Sequence, residues 1–229
     1  MTARRVKVAG LDGWRKGWVA VIVDGGRVDA VTTFATFAEA LDTLGDADAI
    51  GVDIPIGLPV VGHRAADLEA RWFLAPKGAS VFPTPPRAVM EAATYEEARR
   101  IGREQFKIGV VAQMYMGLRA KVLEVDALVK PGDSVYEVHP EVSFRVLAGR
   151  PLAFGKKTWN GQMERRRLLK DAGLVIPDVL DAARMVPADD VLDAAAAAWT
   201  AGRIARDEAG SLPSPPEQDE RGHDMAIWM

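Results

Sequence analysis

The sequence predicts an α/β fold: a mixed sheet, made of a three-strand antiparallel meander plus parallel strands, flanked by helices and carrying a mainly helical insertion at about 63–130. Three observations predict it. Val6 to Phe34 reads as three apolar, β-branched runs separated by short polar breaks at Gly13–Gly17 and at Asp24-Gly25-Gly26. Ala49 to Ile54 (AIGVDI) is short, continuously apolar and stopped by Pro55, the pattern of a strand buried on both faces. Pro187 to Arg206 (PADDVLDAAAAAWTAGRIAR) is an alanine-dominated helix whose small side chains permit close packing on a sheet.

In the first hairpin, the run from Val6 through Leu11 halts at Asp12, which places a carboxylate where a buried strand ends. Such an acid is costly unless it is paired, solvated or holding a cation. Its ordinary structural role would be to cap the turn by accepting from the amides of residues 13 and 14. Arg27 to Phe34 is the third strand, and Thr36 is the N-cap of a helix whose Phe37, Ala40, Leu41 and Leu44 keep helical spacing to Gly45. Asp53 closes the buried strand at its carboxyl end, where ligands of open α/β sheets gather, and Pro55 and Pro59 force an extended exit.

Within the insertion, Arg64–Phe73, Tyr95–Phe106 and Gln113–Val129 have helical patterns. Between the first two, SVFPTPPRAV is too rich in proline for a helix or a central strand and reads as a rigid loop bearing one arginine, Arg87. Ser134 to Val138 is a further strand, followed by HPEVSF, so that Glu137, His139 and Glu141 alternate near a strand end. Histidine with carboxylates can ligate a metal, although a histidine beside a proline more often serves the fold. Lys156 to Lys170 is the most basic stretch, and Arg165, Arg166 and Arg167 must fan around their helix. In the late helix Asp189 is the expected cap, while Asp190 and Asp193, three residues apart, share one face. The helix dipole accounts for acids in the first turn. Asp193 is less well explained in this way, because it begins the face that packs on the sheet. The tail SLPSPPEQDERG reads as a loop and the final MAIWM as a short edge strand or packing plug.

At 229 residues and 48% hydrophobic content, the chain suits a single domain with a full core. No cysteine is present, which excludes disulfides and zinc–thiolate sites. No apolar run nears the length of a membrane span, and MTARRVKVAG lacks the h-region of a signal peptide, so no membrane association and a cytoplasmic location are expected. The net charge of −3 is uneven: residues 61–170 hold 19 Lys and Arg against 12 Asp and Glu. That middle could face a polyanion while the flanks supply carboxylates.

Asp12, Asp53 and the Asp190/Asp193 pair thus come from two strand ends and a helix start. If they converge, the oxygen-only donor set selects a hard cation, Mg²⁺ or Mn²⁺. Two such ions about 3.5–4 Å apart activate water and stabilise the leaving oxygen of a phosphodiester. Without a cation the crowded carboxylates would raise one another's pKa values.

The order of elements resembles that of ribonuclease H-like proteins. More narrowly, GLDGWRKGWVAVI, GVDIPIGLP, SVFPTPPRAV, EVHPEVSF, KKTWNG and DDVLDAAAAAW together resemble the domain-of-unknown-function 429 family, whose members are predicted nucleases with a ribonuclease H-like fold. The resemblance runs from Gly10 to Trp228. It implies Asp12 as the ligand on the first strand, Asp53 on the central strand, Asp190 or Asp193 on the helix and Glu137 as an additional ligand. Lys156, Lys157 and Arg87 would contact phosphate. The expected activity is metal-dependent hydrolysis of DNA or RNA, with His139 or a lysine assisting proton transfer. Two other readings compete. An actin-like nucleotide-binding or phosphotransfer protein would use the Gly13–Gly17 hairpin as its phosphate cradle, and at this length would need a homodimer or another mode of doubling. A non-catalytic module would hold nucleic acid or nucleotide on the basic middle, with the acids as caps and ion pairs.

Overall fold

The computed structural model describes residues 5–229. Strand β1 (Lys7–Trp14) turns at Arg15 and Lys16 into β2 (Gly17–Asp24), which turns at Gly25 and Gly26 into β3 (Arg27–Phe34). β1 therefore continues two residues beyond Asp12, which is paired with Val19 in the ladder rather than placed at the turn. The turn-capping role anticipated for Asp12 fails for that reason. Both Gly25 and Gly26 adopt positive φ, the conformation a tight hairpin demands and glycine supplies without strain.

Helix α1 (Phe37–Leu44) starts where the sequence signals it: Thr36 Oγ1 accepts from the Glu39 amide at 3.2 Å. Strand β4 (Ala49–Val52) is buried along its whole length, and the Asp53 amide extends the ladder by donating to the Leu11 carbonyl at 2.9 Å. Helix α2 (Ala65–Phe73), the short α3 (Arg87–Met90), α4 (Tyr95–Ile101) and α5 (Arg119–Leu128) follow, with wider π-type turns over Gly102–Phe106 and Gln113–Leu118. One turn of helix thus begins inside the proline-rich loop, because Pro86 precedes it as N-cap and leaves Arg87 onward free to coil.

Strand β5 (Val135–Glu137) leads through His139 into α6 (Pro140–Ala148), then α7 (Trp159–Asp171) and α8 (Ala188–Ile204). The N-cap of α8 is Pro187, not Asp189, which lies within the first turn. The tail also departs from expectation. Ser211–Gln218 forms β6 and pairs with β7 (Asp224–Trp228) in a two-stranded sheet. Prolines are tolerated there because a two-stranded sheet has only edges, where a missing N–H need not break a ladder.

The main sheet has the order β3-β2-β1-β4-β5. β1, β2 and β3 are antiparallel, and β4 and β5 run parallel to β1 and to each other. This is the ribonuclease H-like arrangement. α8 packs across β1, β2 and β4. Its alanines and the strand glycines explain the closeness: a Cβ on Gly10 would fall 2.0 Å from the Ala198 nitrogen, and one on Gly51 would fall 2.6 Å from the Ala197 oxygen.

The chain divides into two compact units. One holds the residues up to Asp53, Ser134–Gly210 and Trp228–Met229; the other holds Ile54–Asp133 and Ser211–Ile227. The first contains the five-stranded sheet and α8, and the second contains α2 to α5. Among the described residues, no helix is long and apolar enough to cross a membrane.

Candidate metal centre

Three elements of the first unit deliver one acid each. β1 carries Asp12, the residue after β4 is Asp53, and the second turn of α8 carries Asp193. One carboxylate oxygen from each lies within 4.8 Å of the other two. The parallel register of β1 and β4, with Leu11 opposite Val52, sets Asp12 beside Asp53. The close seating of α8 on Gly10 brings in Asp193.

Burial decides the electrostatics. Asp193 is 1% exposed and Asp12 7%, whereas Asp53 is half-buried. Desolvation is the largest cause in every case, and it pushes the Asp12 carboxyl well above the usual carboxylate range, helped by the neighbouring charges of Asp53, Asp193 and Asp190. Asp53 is pushed up to about 7 by burial, with Lys156 opposing and Glu137, Glu141 and Asp190 adding to the rise. Asp193 is likewise pushed up to about 7 by burial, against Lys156. Lys156 Nζ donates to Asp193 Oδ2 at 2.5 Å. The other oxygen, Oδ1, is buried with no hydrogen-bond partner among the described residues. A buried, unsatisfied carboxylate oxygen beside two further carboxylates fits a cation of oxygen preference, since such an atom is otherwise a net cost.

The remaining anticipated residues fall in different places. Asp190 sits one turn before Asp193, half-buried, and is outside the group of three. It acts on the centre through its field, and its own carboxyl is raised by burial and by Asp189. Glu137 is buried on β5 opposite Val52, where its charge reaches Asp53. His139, half-buried, is the N-cap residue of α6 and is not among the three ligand-forming groups. Lys157 is exposed next to Lys156, and the two are flanked by the exposed rings of Phe154 (45%) and Trp159 (73%).

Arg87 belongs to the second unit, and its charge is committed there. It holds Asp126 with two bonds of 2.6 and 2.8 Å and reaches Asp219 at 3.3 Å. Asp126, Asp219 and His223 form the second group of metal-ligand types, which the sequence did not signal because 126 and 219 are far apart along the chain. Its lone pairs are already used. Asp219 accepts from the amides of Leu58, Arg221 and His223, and Asp126 also accepts from Arg221. These bonds hold the Asp219 carboxyl below its ordinary value despite burial. A carboxylate so stabilised has little need of a metal ion.

The family model described as "Protein of unknown function (DUF429)" matches residues 10–218. The chain belongs to the DUF429 family. No curated protein and no solved structure matches the chain. The DUF429 match runs from β1 into β6 and so includes Asp12, Asp53, Asp193 and Lys156.

Proposed function

We propose that this protein is a metal-dependent nuclease that hydrolyses phosphodiester bonds, with Asp12, Asp53 and Asp193 holding Mg²⁺ or Mn²⁺. The observation that carries the reading is the convergence of three carboxylates, one of which, Asp193, keeps a buried oxygen, Oδ1, without a hydrogen-bond partner. A hard cation there would supply Lewis acidity at a phosphoryl oxygen and lower the pKa of bound water. Asp190 adds negative potential at the rim and draws cations in. Lys156 brings a positive charge to the same place for a phosphate, and exposed Lys157 offers a second contact. Phe154 and Trp159 expose ring faces on which nucleic-acid bases can stack.

The test is cleavage of labelled single- and double-stranded DNA and RNA by metal-stripped protein, with and without added Mn²⁺. Cleavage that requires Mn²⁺ and disappears in Asp12→Asn supports the reading. Equal cleavage by Asp12→Asn, or binding of no divalent cation under any condition, overturns it.

A further inference from the structure

The carboxylate centre already contains one cation of its own. Lys156 Nζ lies 2.5 Å from Asp193 Oδ2, and the Asp193 side chain is 1% exposed. The lysine side chain stays 37% exposed, but the turn that carries it is tied down at both ends. Thr158 donates to the Gly155 carbonyl from its amide at 3.0 Å and from Oγ1 at 2.8 Å. Thr158 Oγ1 also accepts from the Gly161 amide at 3.1 Å, capping α7. Buried Arg165 donates from one nitrogen to the carbonyls of Phe154 and Gly161, and from the other to both oxygens of Glu141. A Cβ on Gly161 would meet the Gly155 oxygen at 2.0 Å, so the turn lies directly on the helix.

From this geometry we infer that Lys156 supplies the second positive charge of the centre, so that the carboxylates bind one divalent ion and not a pair. The inference rests on the cation reading above and deepens it. Three oxygens within 4.8 Å span one coordination sphere, whose radius is about 2.0–2.6 Å for these hard ions. A pair of ions about 3.5–4 Å apart needs carboxylates that offer both oxygens or lie further out. Asp193 leaves only Oδ1 free of a hydrogen bond, since the ammonium occupies Oδ2 and places its charge against any ion there. Of the outer acids, Glu141 is engaged by Arg165, and among the described residues neither Glu137 nor Asp190 forms with two other acids a further set of oxygens close enough to share an ion. A second divalent ion would also sit against both the first ion and a fixed ammonium.

Counting bound Mn²⁺ decides the matter without reference to activity. Metal-stripped wild type, Lys156→Met and Lys156→Arg are dialysed to equilibrium against saturating Mn²⁺, and the bound metal is counted per chain, with electron paramagnetic resonance reporting any coupled pair. The expected result is one ion in wild type, one in Lys156→Arg, which keeps the charge, and two ions coupled to each other in Lys156→Met. Two ions in wild type, or a count of one that persists in folded Lys156→Met, overturns the role of Lys156 while leaving the carboxylate centre standing. If Lys156→Met does not fold, Lys156→Gln, which also removes the charge, takes its place with the same two outcomes. No Mn²⁺ in any protein overturns the cation reading itself and this inference with it.

Discussion

Asp53 shows most directly what a buried acid does to the protein that carries it. Its carboxyl is pushed up to about 7, first by burial, so the folded chain holds a proton there that the unfolded chain has lost. Because the folded value lies above the unfolded one, the group's contribution to stability is fullest below the ordinary carboxylate pKa and is lost as pH rises through about 7. Metal-free protein is therefore expected to melt at a lower temperature at pH 8 than at pH 5. Asp53→Asn removes the ionisable group and keeps its shape. At pH 8 it should stabilise the metal-free protein by about 1–3 kcal/mol, roughly 2–4 °C per kcal/mol for a chain of this size, and the gain should vanish near pH 4. Thermal melts of both proteins across that range check it, and a gain independent of pH would refute the electrostatic cause. Mn²⁺ competes with the same protons, so its affinity for wild type should rise from pH 5 to pH 8, as calorimetry would show.

The helix that brings Asp193 to this centre depends on what its partners lack. α8 lies so close to the sheet that a Cβ on Gly10 would stand 2.0 Å from one backbone atom of the helix and 2.1 Å from another. Gly10→Ala must therefore push α8 away or bend β1. Overpacking of this kind costs about 1–3 kcal/mol or more, since both neighbours are backbone and cannot rotate aside. Asp12 lies two residues along β1 and Asp193 is carried by α8, so the same variant should also weaken Mn²⁺ binding, which calorimetry at a temperature where the variant is folded would measure. The packing was half legible in advance. The run AAAAA announced a helix seated close to a sheet, and the meander and α1 followed from turn glycines and the Thr36 cap. Asp190 and Asp193 could not be separated from spacing alone, because both face the same side and only the position of the helix along the strands decides between them. The end of β1 was misplaced because Gly13 read as turn chemistry, whereas in the hairpin it pairs with Trp18 and the turn falls at Arg15 and Lys16. The proline-rich tail read as a loop because its partner strand, β7, is visible only once the chain has folded back.

Over the whole chain, the excess of basic residues in the middle suggested a polyanion-binding face, and the ion pairs change what that excess means. Arg64 is held by buried Asp67, Arg87 by Asp126, Arg150 by Glu164 and Arg165 by Glu141. These guanidiniums serve the fold. Arg87→Gln should accordingly destabilise the protein by about 1.5–3 kcal/mol, because Asp126 and Asp219 lose a charged partner while keeping their bonds to Arg221 and to backbone amides. It should leave the Mn²⁺ count unchanged, since all three ligand acids belong to the other unit. Denaturant unfolding and a metal count on the folded variant check the two halves separately. The same pairing bears on the nucleic-acid substrate. Each phosphate neutralised adds about 0.7–0.9 to the slope of log affinity against log salt. With Lys156 and Lys157 as the cations at the centre, a short single strand should bind with a slope of about 1–2, measured with Asp12→Asn to prevent cleavage. Lys157→Ala should lower that slope by about one contact's share, and Trp159→Ala should weaken binding with the slope unchanged, because stacking releases no counterions. A slope of about 5 or more would mean that the basic middle holds the strand after all, and that the lysine turn is not its main contact.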